Sequence, residues 1–478
     1  MASLATNSTH PSPVYLVDFS VYKPPEELLV DRELAEERGK EWSMYSEDMK
    51  AFMVKVIERS GLSQKGTYLP KAINPIHAKE PVNDMATAGK EAKAVMTGAV
   101  EDLLAKTGIR PEQVDILVTN CSIFCPTPSL ASMLINHFKF RSDIQSYHLG
   151  GMGCGNGVMA IGLIRDLLQA RPNAIALFVP AEITTYAFYP GSRKQYMVAN
   201  CIFRMGGAAI MLTNKRQYSR TAKYQLQYNV RVHTGQDDDS YGCMSWGPDP
   251  DGVNGVYLGK NVVSCAADAL QRCLRQITPR IMTWGQYAEA AVNVVGKRFG
   301  KEWPEYMPDY TKCADHFAIH AGGYAVLKGI QAGMALPAAK MLPSFAALRD
   351  YGNTSCSTTW YVMAYMESCD KVTKGQRILQ VGMGGGMKAG VNVWRALHDN
   401  RCVHKAWMHL AAKPLTEADL PRAIEAMGAN STLGGDAAKP GQQEAAAAAK
   451  PVARKLTVEV KAYTESQLTD DQLADLAH

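Results

Sequence analysis

The stretch IQSYHLGGMGCGNGVMAIGLIRDLLQA, residues 144–170, decides the fold. Its first part, IQSYHLGG (144–151), reads as a short strand running into glycines. Its second part, CGNGVMAIGLIRDLLQA (154–170), reads as a helix that is apolar almost all round until Arg165. Such a helix has no broad solvent face and belongs inside the molecule. Cys154 stands at the junction. Glycines on both sides permit a sharp turn and close backbone approach by a ligand. A thiol at a helix N-terminus meets unpaired amide hydrogens and the positive end of the helix dipole. These lower its pKa and favour the nucleophilic thiolate. The competing reading is a buried structural cysteine.

Outward from this junction the chain keeps an α/β rhythm. VDILVTNCSIF (114–124) reads as a buried strand, SLASMLINHF (129–138) as a helix, and NAIALFVPAE (173–182) and GAAIMLTNK (207–215) as further strands. A helical pattern covers Met85 to Thr107 and stops at Gly108. Strands alternating with helices imply a sheet covered by helices on both faces. The second half repeats the theme. HFAIHAGG (316–323) reads as a strand end and turn, followed by helices over about 324–335, 342–349 and 355–369. RILQVGMGGGMKAGVNVWRAL (377–397) reads as two strands joined by a glycine loop. The pattern hints at an internal duplication without a residue-level repeat.

Residues 1–30 read as extended, broken by Pro11, Pro13, Pro24 and Pro25. The charged stretch from Glu33 to about Ser60 is helix-prone, and residues 64–83 read as loop. Beyond about residue 428 the low-complexity run GANSTLGGDAAKPGQQEAAAAAKP reads as a flexible linker, so 428–478 form a tail outside the core.

Composition narrows the classes. The 478 residues are 46% hydrophobic and 20% charged, ordinary for a soluble globular protein with a large core. A net charge of +5 is too mild for a dedicated nucleic-acid binder. The 11 cysteines are odd in number and scattered, which fits reduced thiols better than a disulfide framework. Cys121 and Cys125 form the only close pair, and no second pair with zinc spacing follows, so no metal site is expected. The N-terminus lacks the basic and apolar regions of a secretory signal, and no run of about 18 apolar residues offers a membrane span.

Three further segments carry chemistry-bearing residues. His320 lies in HFAIHAGG with small residues after it, and His316 precedes it by four positions. On a strand the two share a face but stand too far apart for one metal ion. Asn353 in YGNTSCST also fits a capping turn. GMGGGMK (382–388) suits either a tight hairpin or a set of backbone amides around an oxyanion.

Taken together, VYLVDF (14–19), TYLP (67–70), VTNCSIFCPTPSLASMLINHFKFR (118–141), LGGMGCGNG (149–157), NCIFRMGGAAIMLTN (200–214), HTGQDDDSYGC (233–243), HFAIHAGG and YGNTSCSTTWYVMAYME resemble, in the same order, the plant-type 3-ketoacyl-CoA synthases of very-long-chain fatty acid elongation. The resemblance runs over residues 14–397. It implies an α/β thiolase-like fold of two similar halves in five αβαβα layers, with the nucleophile in a half spanning 31–300 and His and Asn in a half spanning 301–427. It implies Cys154 as the acyl-carrying cysteine and His320 and Asn353 as its catalytic partners. His233 and His316 match histidines regular in the family, and Gly384, Gly385 and Gly386 match its oxyanion loop. Acyl-CoA and malonyl-CoA are the implied substrates, with no cofactor. A homodimer is implied, as are elongase partners: a ketoacyl reductase, a dehydratase and an enoyl reductase.

The chain departs from the family pattern at Gly155–Asn156–Gly157, usually Ser-Ala-Gly, at Tyr324, usually Arg, and in a glycine loop without its usual phenylalanines. The family also carries two membrane-spanning helices before VYLVDF, where this chain has thirteen residues. Residence at the cytosolic face of the endoplasmic reticulum membrane remains the family expectation, with a soluble cytoplasmic form as the alternative. A type III polyketide synthase and a non-catalytic elongase subunit are the rival readings. A thiolytic thiolase fits less well, since residues 382–390 contain no second cysteine.

Overall fold

The computed structural model describes residues 12–419 except 301 and 305. All of them fall in one compact unit, Met1–Thr432; the expected flexible tail, 428–478, lies outside the described residues. The strands in chain order are β1 (Tyr15–Val21), the short pair β2 (Leu29–Asp31) and β3 (Lys65–Tyr68), β4 (Ile116–Asn120), β5 (Gln145–Leu149), β6 (Ile175–Glu182), β7 (Gly206–Thr213), β8 (Tyr224–His233), the ribbon β9 (Met244–Pro248) and β10 (Asn254–Leu258), β11 (His316–Ile319), β12 (Arg377–Gly384) and β13 (Lys388–Ala396). Nine of them form one sheet in the order β11-β12-β13-β8-β1-β7-β6-β4-β5.

The sheet contains the same motif twice. β4 runs parallel to β6, β6 antiparallel to β7, and β7 antiparallel to β1. Likewise β11 runs parallel to β12, β12 antiparallel to β13, and β13 antiparallel to β8. The two motifs meet at a narrow seam, Tyr15↔Gln225 and Leu16↔Tyr224. The second motif opens with β8 at Tyr224.

Helices complete the layers. Met85–Thr107 covers β1, β6 and β7, and Val262–Ile281 covers β8, β12 and β13. Between the two half-sheets lie Asn156–Ala170 and Thr358–Tyr365, which pack on each other and on strands of both halves. The order is α, β, α, β, α. The sequence explains the burial: all eight residues of the 358–365 helix are buried, as are the first seven of the 156–170 helix. β6 and β7 are buried along their whole length, as strands covered on both faces must be. The outer helix begins where the Asp84 carboxylate accepts the Thr87 amide at 2.7 Å. It ends at Gly108, whose φ of 65° suits a left-handed helix end.

Two readings change in detail. The helix-prone stretch after Glu33 is two helices, Arg32–Gly39 and Glu47–Arg59. Trp42 is buried in the break, its indole N–H donating to the Ala78 carbonyl at 3.0 Å, and Ser46 caps the second helix. The stretch 355–369 is composite: a 3₁₀ turn, the 358–365 helix, then a π turn.

Candidate active site

Cys154 follows the glycine turn after β5, and the buried helix proper starts two residues later, at Asn156. The β12–β13 hairpin lies directly against it. A Cβ on Gly384 would stand 2.5 Å from the Cys154 amide nitrogen, and one on Gly153 would stand 2.5 Å from the Gly385 nitrogen. Backbone meets backbone here with no room for a side chain, the close approach that glycine permits. Gly157 is held equally tightly: its Cβ would fall 1.7 Å from the Cys356 carbonyl oxygen.

His320 continues β11, its amide donating to the Val381 carbonyl at 2.9 Å. It is 3% exposed, and its Nδ1 is buried without a partner. Its ring lies against Gly322, where a Cβ would come within 3.2 Å of Nε2. Asn353 is fixed by its backbone, which accepts from the Arg204 amide at 3.0 Å and donates to the Ile202 carbonyl at 3.0 Å. Its Nδ2 donates to the Gly322 carbonyl at 3.2 Å, and its Oδ1 accepts the Ser355 amide at 2.8 Å. The Ser355 hydroxyl in turn contacts Cys154 Sγ at 3.3 Å and Glu182 Oε2 at 2.9 Å. A short chain of contacts thus joins Cys154, Ser355, Asn353 and the turn after His320.

Burial pushes the Cys154 thiol up to about 11; the Ser355 hydroxyl opposes the rise and the nearby Glu182 carboxylate adds to it. Loss of water around the thiol opposes the lowering expected from its place before a helix. Burial also lowers His320, to about 4, so its imidazole is neutral near pH 7.

The structure joins Cys154 to Asn353 through Ser355 and sets Gly384 and Gly385 against the Cys154 turn; His320 stands two residues before Gly322, whose carbonyl Asn353 bonds. Gly386, with φ of 63°, makes the hairpin turn itself. His233 is exposed, paired with Lys388 at the hairpin base, its Nδ1 accepting the Gly235 amide at 3.1 Å. His316 is not at this site: it stands at the opposite end of β11, with Nε2 at 2.9 Å from Gln376 Oε1. Sequence reasoning missed Ser355 and Glu182. The only signals were a serine two places after Asn353 and an acidic residue ending an otherwise apolar strand.

Beside the thiol, Cys154 packs with Ala199, Phe203 and Val256. Ala199 and Phe203 also wall a partly open cavity of about 290 Å³, lined on its other sides by Trp42, Met53, Val54 and Leu69 among others. Glu367, Cys402 and His404 bring possible metal-ligand atoms within 4.8 Å of one another. Two ammonium groups already occupy that neighbourhood: Lys223 Nζ is 2.7 Å from Glu367, and Lys106 Nζ is 3.3 Å from His404. The group reads as an ion-pair network.

Duplicated half-sheets around two buried helices, with a cysteine at the start of one, define a thiolase-like protein. A solved structure agrees. The C-terminal type III polyketide synthase domain of Steely1, a type I/III hybrid from Dictyostelium, superposes with a TM-score of 0.63 at 16% identity, covering 80% of this chain and 99% of that one. The family model "FAE1/Type III polyketide synthase-like protein" matches residues 6–299, and "3-Oxoacyl-[acyl-carrier-protein (ACP)] synthase III C terminal" matches 311–396. Among relatives, 3-ketoacyl-CoA synthase 11 of Arabidopsis thaliana is 41% identical over 390 residues, 81% of this chain and 76% of that protein. Arabidopsis 3-ketoacyl-CoA synthase 16 is 40% identical over 414 residues, 83% of each. The chain belongs to the 3-ketoacyl-CoA synthase family, the condensing enzymes of fatty acid elongation.

Proposed function

We propose that this protein is a very-long-chain 3-oxoacyl-CoA synthase that condenses malonyl-CoA with a long-chain acyl group held on Cys154, giving a 3-oxoacyl-CoA two carbons longer. The observation that carries the reading is the contact chain linking Cys154 to Asn353 through Ser355. A thioester on Cys154 replaces the thioester of acyl-CoA, so loading is nearly neutral in energy. Malonyl-CoA then loses carbon dioxide, and the enolate oxygen takes hydrogen bonds from the neutral His320 imidazole and the Asn353 amide. The enolate carbon attacks the Cys154 thioester. The tetrahedral oxygen is held by the Cys154 amide and one amide of the 384–386 turn. No cofactor takes part.

Part of the acyl chain lies in the 290 Å³ cavity reached past Phe203 and Ala199, whose mostly apolar walls suit methylenes. Family membership supports a homodimer of two thiolase-like halves, acting with a ketoacyl reductase, a dehydratase and an enoyl reductase. It also supports a place at the cytosolic face of the endoplasmic reticulum membrane. No helix among the described residues is long and apolar enough to cross a membrane. Product analysis tests the reading: a single two-carbon extension with a retained 3-oxo group is expected. Repeated extension and ring closure would instead mark a polyketide synthase.

A further inference from the structure

We propose that Glu182 stores the proton of the Cys154 thiol, passed to it through the Ser355 hydroxyl. This deepens the condensing-enzyme reading by saying where that proton goes.

Glu182 ends β6 and is 2% exposed. Its Oε1 accepts the Ser122 and Ile123 amides, each at 3.1 Å, and the Cys121 thiol at 3.2 Å. Its Oε2 shares the Ser122 amide at 3.3 Å and takes its shorter contact from Ser355, 2.9 Å away, and Ser355 Oγ is 3.3 Å from Cys154 Sγ. Ser355 is held there by its amide bond to Asn353 and by a φ of 54°, unusual for a residue other than glycine. A hydroxyl carries one proton. It cannot donate to both neighbours at once, so a donation to the carboxylate leaves its lone pairs facing the thiol. The titratable groups around the carboxylate are the thiols of Cys121, Cys125, Cys154 and Cys356, all raised and neutral. Burial raises Glu182 above the usual carboxylate range while its hydrogen bonds oppose the rise. A carboxylate so placed is a stronger base than one in water. His320, lowered by its burial, is a weaker base than an imidazole in water.

The steps balance. On loading, the thiol proton moves to Ser355 Oγ as the Ser355 proton moves to Glu182 Oε2. The Cys154 thiolate forms a C–S bond to the acyl carbon, the bond to coenzyme A breaks, and the departing thiolate takes a proton from water. On condensation the new C–C bond forms, the Cys154 C–S bond breaks, and the freed thiolate recovers its proton by the reverse path. The enzyme returns to a thiol and a carboxylate.

The test measures acyl loading from a long-chain acyl-CoA, and iodoacetamide alkylation of Cys154, across pH 6 to 10 for wild type, Glu182→Gln, Ser355→Ala and the double variant. Each single change should slow both reactions at pH 7 by roughly 10²-fold, the scale of a lost general base. The double variant should be no slower than the slower single one, since one path is cut twice. A carboxylate that is only a neighbour holds the thiol's pKa up, so its removal would speed alkylation. Glu182→Gln reacting at the wild-type rate or faster overturns the proposal. If that variant does not fold, Ser355→Ala decides, because it leaves the carboxylate bonded to Ser122 and Ile123; wild-type rates there overturn the proposal. A wild type that is alkylated but takes no acyl group would sink the condensing-enzyme reading, and the alkylation rates would still decide the relay.

Discussion

Asn353 is tied to Gly322: its Nδ2 donates to the Gly322 carbonyl at 3.2 Å, two residues beyond His320. The bond crosses from the turn before the second buried helix to the turn after β11, which follows His320. Asn353→Ala should therefore slow malonyl-CoA decarboxylation by roughly 10²- to 10³-fold, the scale of one lost oxyanion donor, and slow acyl transfer to Cys154 by less, through the Ser355 amide bond that is lost with it. Separate loading and decarboxylation assays check this. A block at loading would mean the asparagine serves the thiol and not the enolate.

The cavity beside Phe203 makes a second prediction. Met53 lines it on the side of the 47–59 helix. Met53→Trp should fill part of the space and slow loading of the longest acyl-CoAs by roughly tenfold or more, in line with what pocket shape contributes to selectivity. Short acyl-CoAs should load as before. An unchanged chain-length profile would place the acyl chain elsewhere.

Gly384 meets the Cys154 amide where a Cβ would stand 2.5 Å away. Gly384→Ala must push the hairpin off the nucleophile. Loading and condensation should both fall, by roughly 10²-fold if one amide donor is lost from the tetrahedral oxygen. Circular dichroism should show the fold retained. Wild-type turnover in that variant would remove the hairpin from the mechanism.

A fourth prediction concerns stability. Glu367 is fully buried, 2.7 Å from both Lys223 Nζ and His404 Nε2, and accepts the Tyr224 hydroxyl at 2.8 Å. Lys223 also pairs with Asp18 at 2.7 Å, so the network ties β1 to the start of β8 and to the turn after the second buried helix. Burial raises the Glu367 pKa, but Lys223 and His404 outweigh it and hold the carboxyl down to about 2. A folded value below the unfolded one means the stabilisation is complete above about pH 4.5 and is lost as pH falls toward 2. It is on the order of 3 kcal/mol. Glu367→Gln should cost about that much in urea unfolding at pH 7, and the gap from wild type should shrink below pH 4. A gap that does not change with pH would contradict the assignment.

The sequence made some parts of this site legible and hid others for physical reasons. The cysteine between a glycine-ended strand and an all-apolar helix could be read locally, as could the hairpin around Gly384–Gly386, because turn and period are local properties. Glu182 and Ser355 could not: they are 173 residues apart, and their contact exists only once β6 and the 3₁₀ turn share a core. The burial that raises the thiol was hidden as well, because helix position is visible in a sequence and depth of burial is not. His316 matched a family histidine, yet four strand residues of about 3.3 Å each carry it away from His320. The restart of the motif at Tyr224 was hidden because β8 precedes the long helix that looks like a connection.

The central claim is that Cys154 carries the acyl group. Intact-protein mass spectrometry after incubation with a long-chain acyl-CoA, beside Cys154→Ala, tests it most directly. A mass gain of one acyl group on the wild type and none on the variant is the predicted result. An adduct that persists in the variant, or none on either protein across a panel of chain lengths, would contradict it.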